Sequence, residues 1–371
     1  MESENFSLSA PGVLDKYMEA GRIAREAMKE AITLAVPGAD IYTVCNTVQT
    51  SIITMCSKAY SKSKIEKGPS FPVCISVNHI CGHFSPLKDE SVALKEGDVA
   101  KIDLGVHIDG FPVVLAHTVI VGGAKKSDPN FKVVSAAYKG VETMVKSLSP
   151  GVTNLSVTEN LTKVFKDYGV TALEGVLSHE VGKYALNGDN CIGISADPEH
   201  RVNKTELQIN QVFVLDVIVS ANPDEGKTKE SELRTTVFKR NIDVTYDLKT
   251  KLARSFLNEI KNNCHDMGFS IALLKNQLEA RVGSNECLKN GHLEPFNVIE
   301  EKSGAVVAQF KWTVAISRKR LILLAHNLEA DLEQPSASLL KDETIGELLQ
   351  KSLEDYTASK KKKRKNKNKK K

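Results

Sequence analysis

No C-x-x-C pair occurs among the seven cysteines, at positions 45, 56, 74, 81, 191, 264 and 287. That absence and the odd count argue against a zinc ribbon and against a disulfide framework, so buried thiols are expected. No apolar run approaches the ~18 residues of a membrane span. The opening MESENFSLSAPG also lacks the basic, then apolar, then small-residue order of a signal peptide. An intracellular protein with no membrane insertion is expected. Nor does either sign of charge dominate, with 50 Lys and Arg against 46 Asp and Glu for a formal +4. Ten of those positive charges lie in the last twelve residues, KKKKRKNKNKKK, and removing them leaves the first 359 at −6. A mildly acidic body therefore carries a strongly basic tail.

A chain of 371 residues is long enough to bury a substantial core, in one large domain or two to three smaller ones. Its apolar and charged fractions, 41% and 26%, are those of an ordinary globular protein. Within it lies an internal repeat. ITLAVPGADIYTV (32–44) and VKSLSPGVTNLSV (145–157) each read as a helix ending at Pro-Gly and a new helix beginning, and Pro37 and Pro150 are 113 apart. LKEGDVAKIDLGV (94–106) and LQINQVFVLDVIV (207–219) align at the same offset, with Leu94 on Leu207, Val99 on Val212 and Asp103 on Asp216. Two unrelated patterns sharing one offset predict a duplicated unit of paired helices followed by strands, at a period too long for a solenoid. The expected class is α+β: antiparallel strands with helices on one face, about an approximate two-fold axis.

Asp103 stands among apolar β-formers in VAKIDLGVHIDGFPVVLAHT (99–118), and the second strand of that stretch contains no carboxylate. An ionised carboxylate there is costly to desolvate unless a cation or hydrogen-bond donors meet it, although a strand-end Asp that reaches solvent is the plainer alternative. The repeat brings Asp216 to a related central position. Paired acids in adjacent strands suggest a two-metal hydrolase site, a general acid/base pair or a structural polar cluster.

The segments FPVCISVNHICGHFSP (71–86), KIDLGVHIDG (101–110), EGVLSHEVGKY (174–184), VFVLDVIVS (212–220) and VAQFKWTV (307–314) resemble, in order, the signature regions of type II methionine aminopeptidases, of pita-bread fold. The likeness runs to about residue 325. It implies that two metal ions would be held by two Asp, one His and two Glu. Asp103 and His179 are retained, but the second Asp falls on Val114, the first Glu on Asp216 and the second Glu on Lys311. A second histidine expected eight residues after His179 is Asn187, whereas His83, a substrate contact in active relatives, survives. Val114 has no lone pair, and Lys311 puts a cation where a bridging carboxylate should bind metal. The resemblance therefore implies a vestigial pocket of Asp103, His179, Asp216, Lys311, His83, Val114 and Asn187, with no metal and no cofactor. The Lys311 ammonium is expected to neutralise Asp103, Asp216 or both, with His179 nearby; the alternative is that it snorkels out along its strand.

These departures, with SVNHICGHFSPLK, LSHEV and PFNV, resemble the proliferation-associated branch, also known as ErbB-receptor-binding proteins. That resemblance implies a catalytically silent protein that works by binding. Its expected partners are the ribosome, ribosomal or structured RNA and growth-regulating proteins, and its expected location is the cytoplasm and the nucleus or nucleolus. Two alternatives stay open. One is a residual aminopeptidase with a single metal on Asp103, His179 and Asp216; the other is a pocket that uses His83 and the segment GPSFPVCISVN to bind a peptide N-terminus without cutting it.

The aminopeptidase-like domain is expected over 1–330, with a helical insert at about 242–297 whose stripe of Leu248, Leu252, Phe256 and Ile260 packs on the core. A C-terminal helical segment follows (331–359), in which 338–359 reads as one helix. A receptor-type L-x-x-L-L motif described for relatives has its nearest match at Ile345-Gly-Glu-Leu348-Leu349, and its first Leu is replaced. The tail, with Lys360, Lys361, Lys362, Lys363, Arg364, Lys365, Lys367, Lys369, Lys370 and Lys371, has no apolar residue and cannot fold alone. A solvated tail, a signal read by a nuclear import factor and an RNA-binding arm compete for it. Lacking aromatics to stack on bases, it would contact backbone phosphates with little sequence preference. A monomer is expected.

Overall fold

The computed structural model describes residues 7–123, 130–196, 201–222, 226–318, 320–326 and 339–352; the basic tail lies outside them. The first half runs α1 (Val13–Leu34), α2 (Ile41–Lys58), β1 (Lys67–Val77), β2 (Ile80–Gly82), β3 (Val99–Ile108) and β4 (Phe111–Ile120). The second runs α3 (Phe131–Ser147), α4 (Asn154–Tyr168), β5 (Thr171–Ala172), β6 (Leu177–Glu180), β7 (Cys191–Gly193) and β8 (Val212–Ser220). After β8 come β9 (Lys229–Glu230), β10 (Val237–Arg240), α5 (Lys251–Asn263), β11 (Phe269–Ser270), α6 (Gln277–Lys289), β12 (Leu293–Phe296) and β13 (Ile299–Glu300). The chain then returns to the main sheet as β14 (Val307–Ile316) and β15 (Leu321–Ala325), and α7 (Glu343–Leu349) follows.

The antiparallel main sheet has the order β1-β3-β4-β14-β8-β6-β7, with β15 on β14 and β5 on β8. Three strands, β1, β3 and β4, face β6, β8 and β14 across the β4–β14 seam, with β7 added at one edge, and the 113-residue offset extends to individual hydrogen bonds. Asp40 bridges Ala93 as Thr153 bridges Glu206, and the Gly38 and Gly151 N–H groups donate to the Leu94 and Leu207 carbonyls at 2.7 and 2.9 Å. Asp40 and Thr153 cap α2 and α4 by accepting from Thr43 and Ser156 N–H, which satisfies donors that a helix N-terminus otherwise leaves open. At the seam only Lys311 and Ala116 pair directly. On either side a threonine hydroxyl replaces the ladder: Thr313 Oγ1 accepts from Val114 N–H and donates to its carbonyl, and Thr118 Oγ1 does the same for Gln309.

Strand alternation sorts the two faces. Ile102, Leu104 and Val106 of β3, Phe213, Leu215 and Val217 of β8, and Phe310, Trp312 and Val314 of β14 all join the main core. Asp103, Asp216 and Lys311 hold the intervening parity and share the opposite face. Helix α1 lies so close to β15 that a Cβ added at Gly21 would sit 1.9 Å from the Leu324 carbonyl oxygen, an atom that also accepts from Arg25 Nη1 at 2.6 Å. Neither backbone can yield without moving the helix. Gly21→Ala should therefore cost about 3 kcal/mol, the upper end of ordinary overpacking, and lower the urea midpoint with little change in slope.

The insert differs from its expected form. Its helices α5 and α6 sit on a three-stranded sheet, β11-β10-β12. Leu248, Phe256 and Ile260 build a separate small core with Ala253, Phe269 and Cys287 rather than packing on the main one. Leu252 is 45% exposed and is not part of that stripe. In a 3.6-residue helix each four-residue step advances 40°, so the inward face is held by Ala253, Phe256 and Ile260. The predicted 338–359 helix is described only as α7, and Ile345 and Leu348 of its motif-like stretch are buried. Cys191 and Cys264 are half-buried, while the other five thiols are buried.

Candidate functional site

The polar parities of β3, β8 and β14 meet in a cavity of about 310 Å³ whose lining includes Asp103, Asp216, Lys311, His179, His83 and Asn187. Lys311 Nζ lies 2.7 Å from Asp103 Oδ2 and 3.2 Å from Asp216 Oδ2. Both carboxylates are nearly buried, with side chains 8% and 16% exposed. Lys311 is thus turned inward and does not snorkel.

Burial is the largest influence on the Lys311 ammonium and would pull its pKa down. The charges and hydrogen bonds of Asp103 and Asp216 outweigh it and hold the group above the ordinary lysine range. Burial pushes the Asp103 carboxyl above its usual range, and the Lys311 charge only partly offsets this. Asp103 Oδ1 is buried without a hydrogen-bond partner. Asp216 Oδ1 accepts from Gln309 Nε2 at 2.8 Å. The sequence reading passed over Gln309, yet it lies two residues before Lys311 on the same face of β14, a parity that could have flagged it.

His83 takes a left-handed backbone (φ 66°), and its Nδ1–H donates to the Asn297 carbonyl at 2.9 Å. Since a carbonyl can only accept, Nε2 is left as the unprotonated nitrogen of the neutral ring. Burial pulls this imidazole down to about 4, so it is neutral at physiological pH. Phe71 and Phe296 pack beside it with ring centroids 5.8 and 5.5 Å away, and Lys311 Nζ stands 5.9 Å over the Phe71 ring. Neither aromatic was singled out from the sequence. His179 donates its Nδ1–H to the Gly188 carbonyl at 3.3 Å. Val114 lines the cavity with its isopropyl group while its backbone is tied to Thr313.

These residues do not fit a pair of divalent metal ions. One expected oxygen donor is the hydrocarbon of Val114, another is replaced by an ammonium between the two remaining carboxylates, and one oxygen of Asp216 is taken by an amide. Among the described residues, no group of three or more His, Cys, Asp or Glu is arranged to hold a metal ion. Nor is any described helix long and apolar enough to cross a membrane.

Comparison with known proteins gives a consistent picture. The profile of metallopeptidase family M24 matches residues 15–238. The chain is 37% identical over 313 residues to proliferation-associated protein A of Dictyostelium discoideum, covering 83% of this chain and 80% of that one. It is 32% identical over 326 residues to a Schizosaccharomyces pombe protein named curved DNA-binding protein, covering 86% and 85% of the two chains. A solved structure of a thermophilic Arx1, 24% identical, superposes over 93% of this chain and 99% of its own with a TM-score of 0.83.

Proposed function

Because the chain belongs to metallopeptidase family M24, in its proliferation-associated branch, its altered centre is a departure within a peptidase fold, and we propose that it works by binding rather than by hydrolysis. The observation that carries this reading is the Lys311 ammonium between Asp103 and Asp216. A cation held by the protein repels a divalent ion from those carboxylates. With Val114 in place of a further acid, activation of a metal-bound water has too few donors to proceed. The same geometry disfavours the single-metal reading, since two of its three ligands are already engaged by Lys311.

The partners we propose are the ribosome and structured RNA, together with growth-regulating proteins, in the cytoplasm and nucleus. The relative named as a curved DNA-binding protein and the ten basic residues of the tail both favour nucleic acid. A second reading, capture of a peptide N-terminus without cleavage, is favoured by one observation: His83 lines the cavity between Phe71 and Phe296, with Nδ1 committed to the Asn297 carbonyl and Nε2 left as an acceptor suited to an ammonium.

Two measurements test the main reading together. Protein purified without chelator should contain no stoichiometric metal and should not hydrolyse Met-peptides with added Mn²⁺ or Co²⁺. Filter binding to a structured RNA should weaken steeply with salt. Replacing the ten tail cations with serine should flatten the log–log slope by up to about 7, at ~0.7 per single-stranded phosphate contact. Bound metal with turnover would return the chain to the enzymes, and an unchanged slope would remove the tail from RNA binding.

A further inference from the structure

A second buried cation lies beside the first. Among the described residues Lys101 is the one lysine that is fully buried, at 1% exposure. Its Nζ faces three main-chain carbonyl oxygens, those of Asn78 at 2.9 Å, Val307 at 3.1 Å and Val99 at 3.4 Å. No carboxylate of the described residues lies within ion-pair distance of it. Lysines that enter a protein interior ordinarily do so against an acid. Here the partners are carbonyl dipoles alone.

The cage is built by the backbone. Asn78 has a left-handed φ of 52°, and its side chain donates to Asp98 Oδ1 at 2.9 Å and accepts from Val99 N–H at 2.9 Å. Its own N–H donates to the Val99 carbonyl, and its carbonyl accepts from Val307 N–H. The Asn78 and Val99 oxygens therefore each spend one lone pair on the main chain and turn the other towards Nζ. An ammonium has three N–H groups for three oxygens, whereas a neutral amine would set its lone pair against one of them. Burial pulls this lysine down to about 7, with the Asp98 charge acting in the opposite direction; the three carbonyls add to the charged form. The Cys81 thiol, which also feels Glu301, is itself pushed up to about 12 by burial and stays neutral.

We propose that the carbonyls of Asn78, Val99 and Val307 form a monovalent-cation site whose occupant is the protein's own Lys101 ammonium, and that this internal cation fixes the walls of the cavity. Val99 lies four residues before Asp103, Val307 four before Lys311 and Asn78 five before His83. One cation thus clamps the three segments that carry Asp103, Lys311 and His83. An ion of potassium or ammonium size is the ligand class the oxygens would take if the side chain were removed.

The test is chemical rescue. Lys101→Ala opens the cage, while Lys101→Met removes the charge and keeps the volume. Thermal unfolding is followed in potassium, ammonium and choline chloride at equal ionic strength. Lys101→Ala should unfold at lower temperature than the natural chain and regain roughly 3 °C in potassium or ammonium over choline, since an ion that binds only the folded state stabilises it. Lys101→Met and the natural chain should show no such preference. A Lys101→Ala protein indifferent to the cation, or a natural chain with the same preference, overturns the proposal. Should Lys101→Ala not fold, the ¹⁵N shift of Nζ in lysine-labelled natural protein at neutral pH decides: an ammonium supports the cage, and a neutral amine overturns it.

Discussion

Lys311→Met should destabilise the protein by about 3–5 kcal/mol at neutral pH, because it leaves Asp103 and Asp216 buried face to face with no cation between them. The loss has a predictable pH dependence. In the variant, burial and mutual repulsion raise the folded-state pKa of the carboxyl pair above its unfolded value. A carboxyl raised in this way stabilises the fold at low pH and costs stability as pH rises through the folded value. The deficit relative to the natural chain should therefore be smallest near the unfolded carboxyl pKa of about 4 and largest above neutrality. In the natural chain the Lys311 pKa is itself held above the ordinary range. On the alkaline side its contribution is complete below the unfolded lysine value of about 10.5 and is lost as pH rises through the folded one; in acid it fades only as the carboxylates that raise it take up protons, the same titration that narrows the deficit. Urea unfolding of both proteins across the acid and neutral range checks this. A deficit independent of pH would mean that lost packing, not uncompensated charge, is what the substitution costs. Adding Asp103→Asn and Asp216→Asn should restore most of the stability, because an apolar or neutral cluster of similar volume replaces a buried ion pair at little cost.

How much of this was legible in the sequence depended on how local the cause was. The two halves of the fold could be read from Pro37 and Pro150 because turn and cap chemistry acts within a few residues, and the matched Gly38–Leu94 and Gly151–Leu207 bonds are its direct outcome. The Lys311–Asp103 contact joins residues 208 apart, and no local pattern predicts it. It became visible only through position-by-position likeness to a family whose ligands were known. Lys101 had no signal at all. In VAKIDLGV it looks like the polar member of an alternating strand, and one of the carbonyls that receives its ammonium, that of Val307, lies 206 residues further on. The insert failed for a different reason. Four-residue steps in a short helix imitate a stripe while drifting around the axis, so Leu252 was placed inside when the 3.6-residue period turns it out. The small β-sheet beneath went unread because β11 and β12 are two and four residues long and pair across tens of residues.

Val114→Asp, Asp216→Glu and Lys311→Glu, combined in one chain, should bind Mn²⁺ or Co²⁺ stoichiometrically and hydrolyse Met-peptides above the background of the natural protein. The three changes work only as a unit. Lys311→Glu alone removes the internal cation but leaves Val114 without a donor atom, and Val114→Asp alone adds an acid beside an ammonium that still holds the other two. Together they place four carboxylates and His179 around one cavity, with the longer Glu side chain reaching past the Gln309 amide that now holds Asp216. Four acids at close quarters repel one another, so without metal the triple variant should be less stable than the natural chain. Divalent ions should reverse that loss, by about 2.7 kcal/mol at a hundredfold excess over Kd, whereas the natural chain should not respond. This metal-dependent stabilisation is the more informative readout, because Asn187 stands where the family resemblance leads one to expect a second histidine, and its loss alone would keep turnover low. A triple variant that neither binds metal nor gains stability from it would mean that the cavity walls have moved too far for side-chain identity to restore the centre. In that event the loss of the metal site would lie in the backbone rather than in Val114, Asp216 and Lys311.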